Sequence, residues 1–205
     1  MFQFISERCD TLVKNFRELP TERKEILEKI SSYIKNTTST GEDANLVYVC
    51  THNSRRSHLG QVWSAVAAAY YGIANVKTFS GGTEATAFNP NAIKALISAG
   101  FSVKKASESI NPVYEVYFAE DRFVTCFSKI YNDAGNPSQK FAAIMTCSDA
   151  EENCPFIPGC DLRIGTTYHD PKAFDNTLLQ DEKYTERSNQ IAMECLYVFS
   201  ILTGK

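Results

Sequence analysis

Apolar residues recur at helical spacing twice before residue 36. Ile5, Cys9, Leu12, Val13 and Phe16 form one stripe, and Ile26, Leu27, Ile30, Tyr33 and Ile34 a second. Between them, LPTERKE supplies a proline and a threonine suited to a helix start. The polar, turn-rich run KNTTSTGEDA (35–44) reads as a linker. From Asn45 the pattern changes to an alternation of strand and helix. NLVYVC is a short apolar strand, and RSHLGQVWSAVAAAYYG a helix ended by Gly72. VKTFSGG is a second strand running into a glycine turn, followed by the helix NPNAIKALISAG. KFAAIMTC (140–147) reads as a buried strand, LRIGTTYHD (162–170) as a weaker one, and 181–202 as a closing helix.

Such alternation predicts an α/β fold, a three-layer open parallel sheet with helices on both faces. One segment breaks the rhythm. VYEVYFAEDRFVTCFSKIY (113–131), rich in β-branched and aromatic residues around AEDR, predicts an inserted β-hairpin. The expected organisation is therefore a helical N-terminal extension and linker (1–44) followed by one α/β domain (45–205) carrying that hairpin.

Composition narrows the class. A chain of 205 residues with 43% hydrophobic and 22% charged residues is an ordinary globular domain. No apolar run reaches the roughly 20 residues of a membrane-spanning helix. MFQFISERCDTLVKNF carries charges inside its apolar pattern, unlike a secretory signal. A net charge of −3 gives no general attraction to nucleic acid. The expectation is a soluble cytoplasmic protein without nucleic-acid or membrane partners. The seven cysteines are an odd count without an export signal, which argues against a disulfide framework. Cys9 and Cys195 lie on apolar helix stripes and Cys126 in a β-like run, so these three read as core. Cys50, Cys147, Cys154 and Cys160 remain to be explained.

Ligands of open parallel sheets sit beyond the carboxyl ends of the strands, and Cys50 lies at such an end, just before a helix. The loop formed by Thr51, His52, Asn53, Ser54, Arg55 and Arg56 can therefore aim its backbone N–H groups at one point near the sulfur, making an anion site. Arg56 can add a planar, bidentate clamp for a tetrahedral oxyanion, and Ser57 can hydrogen-bond the sulfur. The stretch reads as a nucleophilic cysteine in an oxyanion cradle. Neither cofactor nor metal is expected. SGGTEATA lacks the Walker lysine and no G-x-G-x-x-G occurs. Cys147, Cys154, Cys160 and His169 lack the close cysteine pairs of structural zinc sites.

Cys50 to Ser57, placed between a first strand and a first helix, resembles the signature loop of the low-molecular-weight protein tyrosine phosphatases. The resemblance implies Cys50 as nucleophile, Arg56 as oxyanion ligand, and the aspartate of a late Asp-Pro pair as general acid. Here HDPKAFD offers Asp170 before Pro171, whose ring restrains the preceding backbone and so aims the carboxylate. Such an acid typically contributes about 10²–10⁴ in rate.

TCSDAEENCP (146–155) extends the comparison. Two thiols on a polar loop at the ligand edge of the sheet suit stepwise thiol–disulfide exchange. Together with the loop, this pair resembles the thioredoxin-coupled arsenate reductases, which share the phosphatase fold. That resemblance implies that Cys50 attacks arsenate, that Cys147 displaces arsenite to form a disulfide, and that Cys154 takes over the disulfide for reduction by thioredoxin. The substrate would be an arsenate or phosphate oxyanion. Three features depart from the compact enzymes of either type: the helical extension, the hairpin, and Arg55, a second cation in the cradle. After Pro171 come Lys172 and Ala173, leaving Tyr168 and Phe174 as candidates for the aromatic wall that phosphatases place beside a phosphotyrosine ring. Phosphomonoester hydrolysis and a non-catalytic anion-binding or redox-sensing module stand as the alternatives.

Overall fold

The computed structural model describes residues 1–153 and 156–204. Two helices, α1 (Gln3–Val13) and α2 (Thr21–Ser39), precede the first strand. α2 takes up the first half of the run read as a linker. Its hydroxyls explain why: Thr38 Oγ1 donates to Ile34 O at 2.8 Å and Ser39 Oγ to Asn36 O at 2.8 Å, so these side chains satisfy helix carbonyls. Both helices pack on the closing helix α6 (Gln180–Thr203), and Ile5, Cys9, Leu27 and Ile34 share one core with Trp63, Leu196 and Phe199.

The main sheet contains β1 (Ala44–Cys50), β2 (Val76–Gly82), β6 (Phe141–Met145) and β7 (Cys160–Gly165), all parallel in the order β2-β1-β6-β7. The chain leaves β1 toward β2 on one side and returns to β6 on the other. Cys50 therefore lies at the point where strand order reverses, where α/β sheets hold their ligands. Leu46, Tyr48, Ala142 and Ile144 meet α6 and helix α3 (Arg56–Tyr70). Val47, Val49, Ala143 and Met145 form a smaller cluster with Ala150 and Ile157, so the opposite face is covered by the short α5 (Ser148–Asn153) and its flanking loops. Helix α4 (Pro90–Ser98) starts on Asn89, whose side chain accepts from Asn91 N at 2.9 Å.

The inserted hairpin is β4 (Tyr114–Tyr117) and β5 (Phe123–Cys126), and it gains a third strand, β3 (Ser102–Lys105), in the order β3-β4-β5. Four residues with two lysines carry little strand signal, but they suit an exposed edge. Gln61 on α3 joins the sheets, with Nε2 donating to Thr78 O (3.3 Å) and Thr125 O (3.2 Å). Among the described residues no helix is long and apolar enough to cross a membrane.

Candidate active site

Cys50 ends β1, 4% exposed, with Sγ 3.1 Å from Ser57 Oγ in the first turn of α3. Asn53 Nδ2 donates to that same Ser57 Oγ at 2.9 Å, leaving the hydroxyl proton free to be given to sulfur. Asn53 is fully buried at φ 44°, a left-handed conformation that asparagine tolerates better than most residues. Beneath the loop lies Gly82. A Cβ there would fall 2.6 Å from Thr51 O and 2.7 Å from Asn53 N, so only glycine lets β2 run this close to the loop.

The loop carbonyls are taken from outside. Cys50 O accepts from Thr83 N (3.1 Å), Thr51 O from Glu84 N (2.8 Å) and Ser54 O from Asn89 N (2.9 Å). His52 O accepts from Thr86 Oγ1 (3.0 Å) and Ser128 Oγ (2.9 Å). In a planar trans peptide the C=O and the following N–H point in opposite directions. The amides of Thr51, His52, Asn53 and Arg55 are thus turned away from those partners. Ser54 Oγ itself is spent on Ala87 O at 2.7 Å, and the half-exposed His52 ring lies 3.8 Å from Glu84.

Arg56 opens α3, 8% exposed. Its Nη1 donates to Tyr168 O at 2.8 Å and its Nη2 to Asp170 Oδ2 at 2.6 Å, while Nε is buried with no partner among the described residues. The other carboxylate oxygen, Asp170 Oδ1, caps the turn Pro171–Phe174 by accepting from Lys172 N at 3.0 Å. That cap orients the carboxylate so that its second oxygen meets the guanidinium. Arg55 is held at the rim: Nε donates to Tyr184 OH at 2.9 Å, and Nη2 lies 3.6 Å from Asp175. Tyr184 OH donates to Asp175 at 2.7 Å, and burial together with that carboxylate pushes the phenol up to about 12.

Cys147 lies two residues beyond the end of β6, 1% exposed, with Sγ 3.4 Å from Thr51 Oγ1 and accepting from Ala150 N at 3.4 Å. Both Cys147 and Cys50 belong to the smaller apolar cluster. Cys154 lies outside the described residues. Cys9, Cys126 and Cys195 are core residues, and burial is the largest effect pushing each thiol up to about 12. Tyr168 does not supply an aromatic wall: it is 7% exposed and its hydroxyl is given to Glu194 at 2.8 Å.

Several contributors escaped the sequence reading. Lys129 N donates to Asn53 Oδ1 at 2.9 Å, and Ser128 is gripped by Asn111, which donates to its O (2.7 Å) and accepts from its N (3.1 Å). The residues flanking the hairpin therefore form part of the wall behind the cradle. No spacing signal marks them, because their partners lie 76 residues away in the chain.

Solved structures share this architecture. A low-molecular-weight phosphotyrosine phosphatase from Vibrio cholerae O395 matches with a TM-score of 0.52 at 14% identity, covering 78% of this chain and 97% of its own. An arsenate reductase in a phosphate-binding state matches with a TM-score of 0.50 at 15% identity, over 77% and 98% of the two chains. The fold is that of the low-molecular-weight phosphatases. No family model matches the chain. Among curated relatives, the arsenate reductase of Brevibacillus brevis is 30% identical over 127 residues, 62% of this chain and 75% of its own. That of Bacillus subtilis is 28% identical over 143 residues, 70% and 84%. The chain belongs to the arsenate reductases, on the fold of the low-molecular-weight phosphatases, and is a cysteine-based enzyme.

Proposed function

We propose that the protein reduces arsenate to arsenite by a thiol relay that starts at Cys50. The observation that carries this reading is the convergence of two thiols on one loop, Cys50 Sγ against Ser57 and Cys147 Sγ against Thr51. The curated relatives named arsenate reductase support the same substrate.

In this scheme the oxyanion enters the cradle and competes with Asp170 for Arg56, whose unpartnered Nε is a further donor for it. The Cys50 thiolate attacks arsenic, and an oxygen leaves as water after taking a proton from Asp170. The Cys147 thiolate then attacks the Cys50 sulfur. The S–As bond breaks, its electron pair stays on arsenic to give arsenite, and a Cys50–Cys147 disulfide forms. Cys154 attacks Cys147, which frees Cys50, and the dithiol of thioredoxin reduces the resulting Cys147–Cys154 disulfide.

The test follows NADPH oxidation with thioredoxin, thioredoxin reductase and arsenate, beside hydrolysis of an aryl phosphate by the same sample. Arsenate-dependent oxidation lost in both Cys50→Ser and Cys147→Ser is the expected result. Turnover surviving Cys147→Ser would refute the relay. The carboxylate on Arg56 favours a second reading, phosphomonoester hydrolysis with Asp170 as general acid. Under that reading, hydrolysis is lost in Cys50→Ser and indifferent to Cys147→Ser.

A further inference from the structure

The geometry points to Arg23, in the first turn of α2, as a positioning residue for the acid loop 166–170; the assignment rests on the reading of Asp170 as general acid. Two direct contacts and one through Glu194 tie Arg23 to that loop. Its Nη2 donates to Thr166 O at 2.5 Å. Its guanidinium carbon sits 4.9 Å over the Tyr168 ring. Its Nε donates at 2.9 Å to Glu194 Oε2, the same oxygen that accepts from Tyr168 OH at 2.8 Å. Glu194 is 1% exposed, and Gln190 Nε2 donates to its other oxygen at 3.1 Å.

The order of contacts gives the brace its consequence. Thr166 N and Tyr168 N continue the pairing with β6, donating to Met145 O at 2.9 Å and Thr146 O at 3.1 Å. Tyr168 O then accepts from Arg56, and two residues later Asp170 meets the same guanidinium. Holding the Tyr168 ring from behind therefore sets where its carbonyl and the following carboxylate fall. Beside the brace lies a cavity of about 590 Å³ lined by Arg23, Ser148, Thr167, His169 and Arg187, so the loop has room to shift if the brace is cut. Arg23 thus links α2 to the loop that carries Asp170.

Arg23 acts mainly on rate, because the cradle amides belong to a different loop and oxyanion affinity feels Arg23 only through the hold of Tyr168 O and Asp170 on Arg56. Two variants separate position from folding. Arg23→Lys keeps a cation beside the buried Glu194 but loses the planar fork and the stacking. Arg23→Met combined with Glu194→Gln removes both charges together, leaving no uncompensated ion. Turnover of arsenate and of 4-nitrophenyl phosphate is measured for each, in the native background and in Asp170→Asn. We expect kcat to fall about tenfold with KM within about threefold, part of the 10²–10⁴ that such an acid contributes. In Asp170→Asn the same variants change kcat less than about twofold, since residues acting as one unit are not additive. An equal loss in both backgrounds overturns the assignment while leaving Asp170 in its role. An Asp170→Asn protein as fast as the native one, or no turnover of either substrate, overturns both.

Discussion

Replacing Asn53 by alanine tests the cradle at its most constrained residue. Three costs can be added from the structure. Alanine at φ 44° carries left-handed strain of about 1 kcal/mol more than asparagine. Lys129 N loses its acceptor Asn53 Oδ1 in a fully buried position, about 1–3 kcal/mol. Ser57 Oγ loses the donor that orients it, about 1 kcal/mol. The sum is about 4 kcal/mol, which for a chain of this length lowers Tm by about 10 °C. Asn53→Gly removes the strain but none of the lost hydrogen bonds, so it recovers at most about 1 kcal/mol. Differential scanning calorimetry of the native protein and both variants measures the ladder, and inorganic phosphate binding by titration calorimetry follows the cradle. A Tm for Asn53→Ala within about 3 °C of native, or Asn53→Gly less stable than Asn53→Ala, would refute the reasoning.

Two further predictions concern the support of the site. Gly60→Ala in α3 normally gains helix propensity of about 1 kcal/mol, but here its Cβ would lie 2.3 Å from the buried Tyr48 ring. We expect a net loss of up to about 2 kcal/mol, read as a lower urea midpoint; any stabilisation would contradict the packing. His58 is fully buried, its Nδ1 3.1 Å from Ser80 Oγ, and burial followed by the charge of Lys129 pushes it down to about 3. The unfolded chain takes up a proton near pH 6.5 and the folded chain does not, so this group's stabilisation is present above pH 6.5 and is lost as pH falls toward 3. Between pH 7 and 5 the native protein should lose about 2 kcal/mol more than His58→Gln. Equal losses of stability in the two proteins, read from urea titrations at the two pH values, would place an exposed, freely titrating histidine here.

What could be read along the chain was whatever its own neighbours decide. The strand ending at Cys50, the loop and the start of α3 follow one another in sequence, so period, helix start and C-x5-R-S spacing agreed before any packing was known. The Asp-Pro pair was legible for the same reason: proline acts on the residue beside it. The linker was misread because the Ser39 and Thr40 hydroxyls, donating to Asn36 O and Thr37 O, close the last turn of α2 inside a turn-rich run. Strand β3 escaped because a four-residue edge strand is defined by its partner β4, not by its own composition.

The layered α/β class, the strand, loop and helix start around Cys50 and the thiols buried as core were legible along the chain, because those rest on periodicity and on adjacent residues. Only the tertiary structure decided what surrounds them. Lys129 and Ser128 brace the 51–56 loop, Arg55 is drawn to Tyr184 and Asp175, Tyr168 turns into the core rather than forming a wall, and Arg23 reaches Thr166 in the segment before Asp170. Each of these rests on partners tens of residues apart, and a hydrogen bond or ion pair leaves no period in a chain. Burial selects such partners in three dimensions, since a polar group taken from water must find one there, however distant in sequence.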